Sequence, residues 1–96
     1  MRKYEIMFIV RPTIGEDELE TAVKSFSDIL TSNGATITES KDMGQKELAY
    51  EIKKFKSGYY YLINLEAKDD KAIKEFDRLA SISNDIVRHL ITKVED

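Results

Sequence analysis

The segment Lys46–Glu66, KELAYEIKKFKSGYYYLINLE, decides the fold because it contains two strand-like runs around a basic turn. In the first run, large apolar side chains recur at every second position, at Leu48, Tyr50 and Ile52. The second run begins with three tyrosines and then alternates in the same way, and Gly58 lies in the turn region between the runs. Two alternating runs joined by a short glycine-bearing segment predict a β-hairpin.

The stretch KYEIMFIV, residues 3–10, predicts a first strand in the interior of a sheet. Both of its alternating sets are largely apolar, which is typical of a strand with neighbours on both sides. The run has a basic flank, but it carries Glu5, lacks a small-residue cleavage site and stops at Pro12. We therefore expect a strand here and not a signal peptide.

An amphipathic helix is expected after Pro12. Thr13 and Glu16 have the spacing of a capping box, and the acids at 16–18 suit the positive end of a helix dipole. Apolar residues then recur at steps of three and four, at Leu19, Ala22, Val23, Phe26, Ile29 and Leu30. Asn33 or Gly34 is expected to end this helix in the left-handed conformation.

The remaining elements are two strands flanking the predicted turn, a second helix and a last strand. The second strand runs from about Ala35 to Ile52 with a bulge at Gly44, and the third spans Tyr59–Ala67. After the capping stretch KDD, the second helix has an apolar stripe of Ile73, Phe76, Leu79 and Ala80. The run IVRHLITKV predicts the fourth strand, and an acidic stub of two residues follows it.

The order β-α-β-β-α-β predicts an α+β, ferredoxin-like fold, with residues 1–96 as a single domain and two helices on one face of a four-stranded antiparallel sheet. Two helices with one apolar stripe each cover only one face of such a sheet. We expect the other face to present Met7, Ile9, Tyr60 and Leu62, while Tyr59 and Tyr61 pack under the helices. An uncovered apolar face predicts a protein-binding surface. The alternative is a sheet face with scattered apolar residues.

Composition limits the function classes. The net charge of −3 argues against nucleic-acid coating by bulk charge, although residues 41–58 carry five bases against three acids. The absence of cysteine excludes disulfides and thiolate metal sites. No apolar run reaches the roughly 18 residues of a membrane span. We expect a cytoplasmic protein.

Residues that carry catalytic chemistry are scarce. His89 is the only histidine, and we expect it to have a packing or surface role; without a second histidine or a cysteine, no metal site is predicted. There is no glycine-rich phosphate loop and no nucleophilic serine motif. We therefore expect a binding protein without catalytic activity or cofactor. The stretch SGYYYL partly matches the aromatic motif of RNA-recognition modules, which keeps RNA binding open.

Three longer segments carry a family resemblance. MRKYEIMFIVRP, DMGQKELAYEIKKFKSGYY and EFDRLASISNDIVRHLITK resemble the bacterial small-subunit ribosomal protein S6 family, in order and over nearly the whole chain. The resemblance implies a ferredoxin-like fold, no enzymatic activity and a place on the ribosome in the cytoplasm. It further implies contact with 16S ribosomal RNA and a heterodimer with ribosomal protein S18.

The resemblance also implies site residues. Arg2, Lys3 and Tyr4 match the family's RNA-proximal start, and Lys46, Arg88 and Lys93 match further basic positions. The chain departs from the family at Gln45 and Glu47, where basic residues are usual, and at Met43, where many members have tryptophan.

Two other functions stay open alongside this resemblance. One is an autonomous single-stranded RNA-binding module of the RNA-recognition type. The other is an enzyme of the same topology, since this fold also hosts acylphosphatase-type enzymes. Weak self-association of the isolated protein through the open face is a further alternative.

Overall fold

The structure is a computed structural model that describes residues 2–94. In chain order its elements are β1 (Arg2–Val10), α1 (Glu16–Ser32), β2 (Thr36–Ile52), β3 (Phe55–Ala67), α2 (Lys71–Ile82) and β4 (Ile86–Val94). This is the predicted β-α-β-β-α-β order. The predicted acidic stub lies outside the described residues.

The four strands form one antiparallel sheet in the order β2-β3-β1-β4. β1 lies between β3 and β4, and its central residue Ile6 faces Ile63 on one side and Ile91 on the other. The prediction that the first strand is central in its sheet is therefore confirmed. Its two apolar faces reflect this position, because both faces of a central strand contact side chains of its neighbours.

The core lies between the sheet and the two helices. Phe8 is fully buried, and its ring centroid lies 5.7 Å from Phe26, 5.6 Å from Tyr61 and 5.9 Å from Phe76. The predicted helical stripes supply the other wall, since Leu30 and Phe76 are also fully buried. Each such aromatic or leucine side chain contributes about 1.5–3 kcal/mol by leaving water.

The start of α1 differs from the prediction. Its N-cap is Gly15, so the predicted capping box of Thr13 and Glu16 does not form. The Thr13 hydroxyl instead accepts a hydrogen bond from Arg11 Nη1 at 3.0 Å, and Arg11 Nε donates to Asp85 Oδ1 at 2.8 Å. Arg11 thus engages Thr13 and ties the start of α1 to the start of β4. The end of α1 agrees with the prediction, because Gly34 has a φ of 93°.

The β2–β3 hairpin is longer than predicted, since β3 begins at Phe55 and not at Tyr59. Ile52 pairs with Phe55, which leaves only Lys53 and Lys54 in the turn. Both have a positive φ, 51° and 71°, which is the backbone of a type I′ hairpin turn. The predicted bulge in β2 is confirmed, because the register shifts between Asp42 and Gly44.

The open face of the sheet as a candidate functional site

The face of the sheet opposite the helices carries a row of apolar side chains. The strand register aligns Leu62, Met7 and Leu90 across β3, β1 and β4, and Lys41 of β2 continues the row. Met7 and Leu62 are half-buried and Leu90 is 49% exposed. Within residues 2–94 no helix packs on this side, so this row is accessible to a partner.

Tyr60 lies on the same face, two residues before Leu62 in β3. Its ring is half-buried, and Lys46 Nζ lies 5.9 Å from the ring centroid. A lysine ammonium at this distance is attracted to the face of the ring. Met7, Tyr60 and Leu62 therefore lie on the side that alternation predicts for them.

Ile9 also points to this face, but it is only 3% exposed, so the prediction that it is uncovered is wrong. Ile9 lies against Gly58 of β3, and the hairpin tip, residues 48–56, lies beside it. Arg88 Nη1 donates to Tyr50 Oη at 3.3 Å, and Lys53 Nζ donates to the Ile86 carbonyl at 3.4 Å. Because β1 lies between β3 and β4, a tip that reaches β4 crosses the end of β1.

A cavity of about 220 Å³ lies between the hairpin tip and the sheet. Leu48 and Ile52 line it from the tip, and Met7, Ile9 and Leu90 line it from the sheet. Neither Leu90 nor the tip was predicted from the sequence as part of this face. Alternation in β4 from Arg88 would have found Leu90. The path of the tip depends on contacts between residues far apart in sequence, which no local pattern reveals.

The six residues that the family resemblance implies for RNA contact do not come together. Arg2, Lys3 and Lys93 are exposed at one end of the sheet, where Lys3 faces Val94 and Lys93 faces Tyr4. Lys46 and Arg88 are exposed toward the other end, near the hairpin tip. At about 3.3 Å per residue along a strand, the two basic groups lie roughly 20 Å apart.

Tyr4 is a core residue, 8% exposed, and this contradicts its expected role at an RNA surface. In β1 it shares its face with Ile6 and Phe8, both of which are fully buried under the helices. The alternation of the strand therefore removes Tyr4 from the surface, although its neighbours Arg2 and Lys3 remain exposed.

The positions at which the chain departs from the family pattern lie on the outer strand β2. Gln45 and Glu47 are exposed; Gln45 Nε2 donates to Ser57 Oγ at 3.4 Å, and Glu47 pairs with Ser57 in the ladder. Met43 is 40% exposed. These side chains are therefore available at the surface, and Glu47 places a negative charge one residue from Lys46.

His89 has a structural explanation. Its Nε2 lies 2.7 Å from Asp77 Oδ1, and its ring meets Phe76 edge-on at 6.1 Å. The pair links β4 to α2. Within residues 2–94, histidine, aspartate and glutamate side chains form no cluster that could hold a metal ion. None of the helices described is long and apolar enough to cross a membrane.

The family model for ribosomal protein S6 matches residues 3–93 of this chain. The chain belongs to the ribosomal protein S6 family. The crystal structure of the 30S ribosomal protein S6 from Thermotoga maritima superposes with a TM-score of 0.93 at 30% identity, covering 97% of this chain and 87% of that one. This S6-family chain is thus a small-subunit ribosomal protein, and the S6 family is one of structural ribosomal proteins and not of enzymes.

Two less similar proteins share the fold with the S6-family chain. The C-terminal domain of the MgtC protein from Mycobacterium tuberculosis has a TM-score of 0.64 at 14% identity, covering 99% of this chain and 89% of that one. A protein from Arabidopsis thaliana has a TM-score of 0.56 at 10% identity, covering 100% of this chain and 95% of that one. At such identities the likeness shows the ferredoxin-like topology alone.

Proposed function

We propose that this chain binds 16S ribosomal RNA together with ribosomal protein S18, as a heterodimer on the cytoplasmic ribosome, and that it has no catalytic activity and needs no cofactor. The observation that carries the proposal is the row Met7, Leu62 and Leu90 on the face away from the helices. We further propose that residues 1–96 act as one domain, which is supported by the single sheet and core formed by residues 2–94.

Partner binding would be driven by burial of the apolar row. Removing roughly 400 Å² of apolar surface from water contributes on the order of 10 kcal/mol before the entropic cost of association. Met7, Tyr60 and Leu62 would form this contact in the hairpin arrangement described. Ile9 would join it only if the hairpin tip moved, because its side chain is covered.

RNA binding would use the two basic groups of exposed side chains. Arg2, Lys3 and Lys93 would contact phosphates at one end of the sheet, and Lys46 and Arg88 at the other. Each cation that neutralises a phosphate steepens the salt dependence of binding by nearly one logarithmic unit on duplex-like RNA. With few such contacts and a net charge of −3, the chain alone would bind weakly, and a basic partner would strengthen binding.

Substitution of Leu62 by Asp tests the protein contact. A buried carboxylate in the apolar row would remove measurable S18 binding in calorimetry, while far-UV circular dichroism would stay native because Leu62 lies outside the helix-covered core. Thr92→Asp is the matched control, since Thr92 is exposed on the same face but outside the row. If Leu62→Asp still pairs normally with S18, the assignment of this face is wrong.

The RNA contact is tested by measuring affinity for a 16S RNA fragment with and without S18. The proposal expects tighter binding in the presence of S18. Equal affinity in both conditions would argue against cooperative assembly.

The placement of Tyr60 on the open face beneath Lys46 favours one alternative, the autonomous single-stranded RNA module. In that case Tyr60→Ala would cost about 1–3 kcal/mol of RNA binding for each stacked base lost, in the absence of any protein partner. No change in RNA affinity would remove this alternative.

A further inference from the structure

The hairpin tip covers part of the face that the proposed partner would use. Its Tyr50 hydroxyl and Lys53 ammonium reach Arg88 and the Ile86 carbonyl on β4. It also lines the half-open cavity beside Ile9. The closed tip and a partner seated on Ile9 therefore compete for the same space.

The base of the tip is a break in the strand ladder. Glu47 pairs with Ser57, and the next pair is Ile52 with Phe55. Four residues of β2, 48–51, therefore lie opposite the single residue Lys56 of β3, and the regular pairing of the two strands is interrupted there. A local interruption of this kind bends a strand and concentrates rotation at a few residues.

Long side-chain hydrogen bonds join the tip to β4. The two side-chain bonds to β4 are 3.3 and 3.4 Å long, at the weak end of the hydrogen-bond range. The cavity of about 220 Å³ shows that part of the tip does not contact the sheet.

We propose that the hairpin tip is a cover that lifts about residues 48–51 when the open face engages its protein partner, so that Ile9 becomes part of the contact. This rests on the proposed binding of S18. A cover that is only marginally stable when closed opens at small cost, and binding to the opened face shifts the population toward it.

A distance measurement tests the movement. Spin labels on Lys56→Cys in the tip and Lys74→Cys in α2 react selectively because the chain has no native cysteine. Addition of S18 should move the distance distribution to a new, separate maximum. The matched control is the pair Lys24→Cys and Lys74→Cys, whose labels lie on the two helices; their distance should not change.

The outcomes separate this proposal from the proposed function. If S18 binds and the tip distance stays the same, the cover proposal is overturned and the partner assignment stands. If S18 binds neither the labelled protein nor the unlabelled chain, the proposed function fails and the cover proposal fails with it.

A covalent lock gives a second readout. Tyr50→Cys and Arg88→Cys, joined by a short bis-maleimide, would hold the tip over the sheet where the two native side chains meet. The joined protein should bind S18 about tenfold or more weakly than the same variant before joining, because the binding-competent state is removed. Equal affinity of the joined and unjoined forms would overturn the proposal.

Discussion

The two faces of the sheet are built from the same four strands but have different energetic roles. On β3, Tyr61, Ile63 and Leu65 point to the helices and are buried, whereas Tyr60 and Leu62 point to the other side and are half-buried. The covered face is closed by aromatic contacts, and the open face is closed only where the hairpin tip crosses it. The difference shows how period-two alternation gives one strand a face buried in the core and a face that stays partly exposed.

The largest difference in unfolding free energy is expected between Ile63→Ala and Leu62→Ala. These two residues are adjacent in sequence and lie on opposite faces of the sheet. Ile63 is fully buried, so its truncation should leave a cavity and cost about 2–5 kcal/mol of unfolding free energy. Leu62→Ala should cost only about 1 kcal/mol, because its side chain is already partly in water. Urea denaturation measures both. Equal losses would mean that the open face belongs to the stabilising core.

A smaller effect is expected at Gly58, which packs closely against Ile9 and the backbone of Val10. A Cβ at this position would lie 2.4 Å from Ile9 Cγ2 and 2.9 Å from the Val10 carbonyl oxygen. Gly58→Ala should therefore cost about 1–3 kcal/mol of unfolding free energy.

The adjacent Ser57→Ala is the control for Gly58→Ala, and its effect should stay within about 0.5 kcal/mol. In an Ile9→Ala background the penalty at Gly58 should shrink, because one of the two clashes is gone. If Gly58→Ala cost the same unfolding free energy in the Ile9→Ala background, the destabilisation would come from the Val10 carbonyl alone.

In the hairpin tip, a substitution is expected to raise the unfolding free energy. Lys54 has a φ of 71° and an exposed side chain, so Lys54→Gly should raise the unfolding free energy by about 0.5–1 kcal/mol by relieving left-handed strain. Thermal denaturation monitored by circular dichroism gives the change. A loss of stability would show that the Lys54 side chain contributes more than its backbone costs.

The smallest effect is expected at Tyr61, and only at alkaline pH. Burial, and then the Asp42 carboxylate, raises the pKa of Tyr61 above its ordinary value of 10.0. The unfolded chain therefore loses this proton more easily, so the contribution of Tyr61 is complete below pH 10 and is lost as pH rises through the folded-state pKa. In urea denaturation between about pH 8 and 11, Tyr61→Phe should lose stability less steeply than the native chain. Equal slopes would contradict this account.

Alternation and helical periodicity were sufficient to predict the element order, the central position of β1 and the side on which each tyrosine of β3 lies. These features depend on neighbours close in sequence and on the rule that two helices cover one sheet face. The same alternation places Tyr4 beside Ile6 and Phe8 in the core; only the family resemblance suggested a surface role for it.

The features that sequence did not predict arise from contacts between distant residues. The Arg11 guanidinium donates hydrogen bonds to Thr13 and Asp85. The Thr13 hydroxyl therefore bonds to Arg11, and the N-cap of α1 is Gly15. The burial of Ile9 depends on its packing against Gly58 and on a hairpin tip that reaches across β1 to β4. The family match and the likeness to the Thermotoga maritima protein give the family and the fold.

The outer strands also limit the ways in which this molecule associates. β2 exposes charged side chains such as Glu39, Lys41 and Lys46, and β4 exposes Arg88 and Lys93. Charged margins of this kind oppose the addition of a foreign strand to a sheet. Under the proposed function, a partner would therefore approach the face of the sheet and not its edge, so that recognition would depend on side chains that evolution can vary one at a time, and not on the backbone pattern that every strand shares.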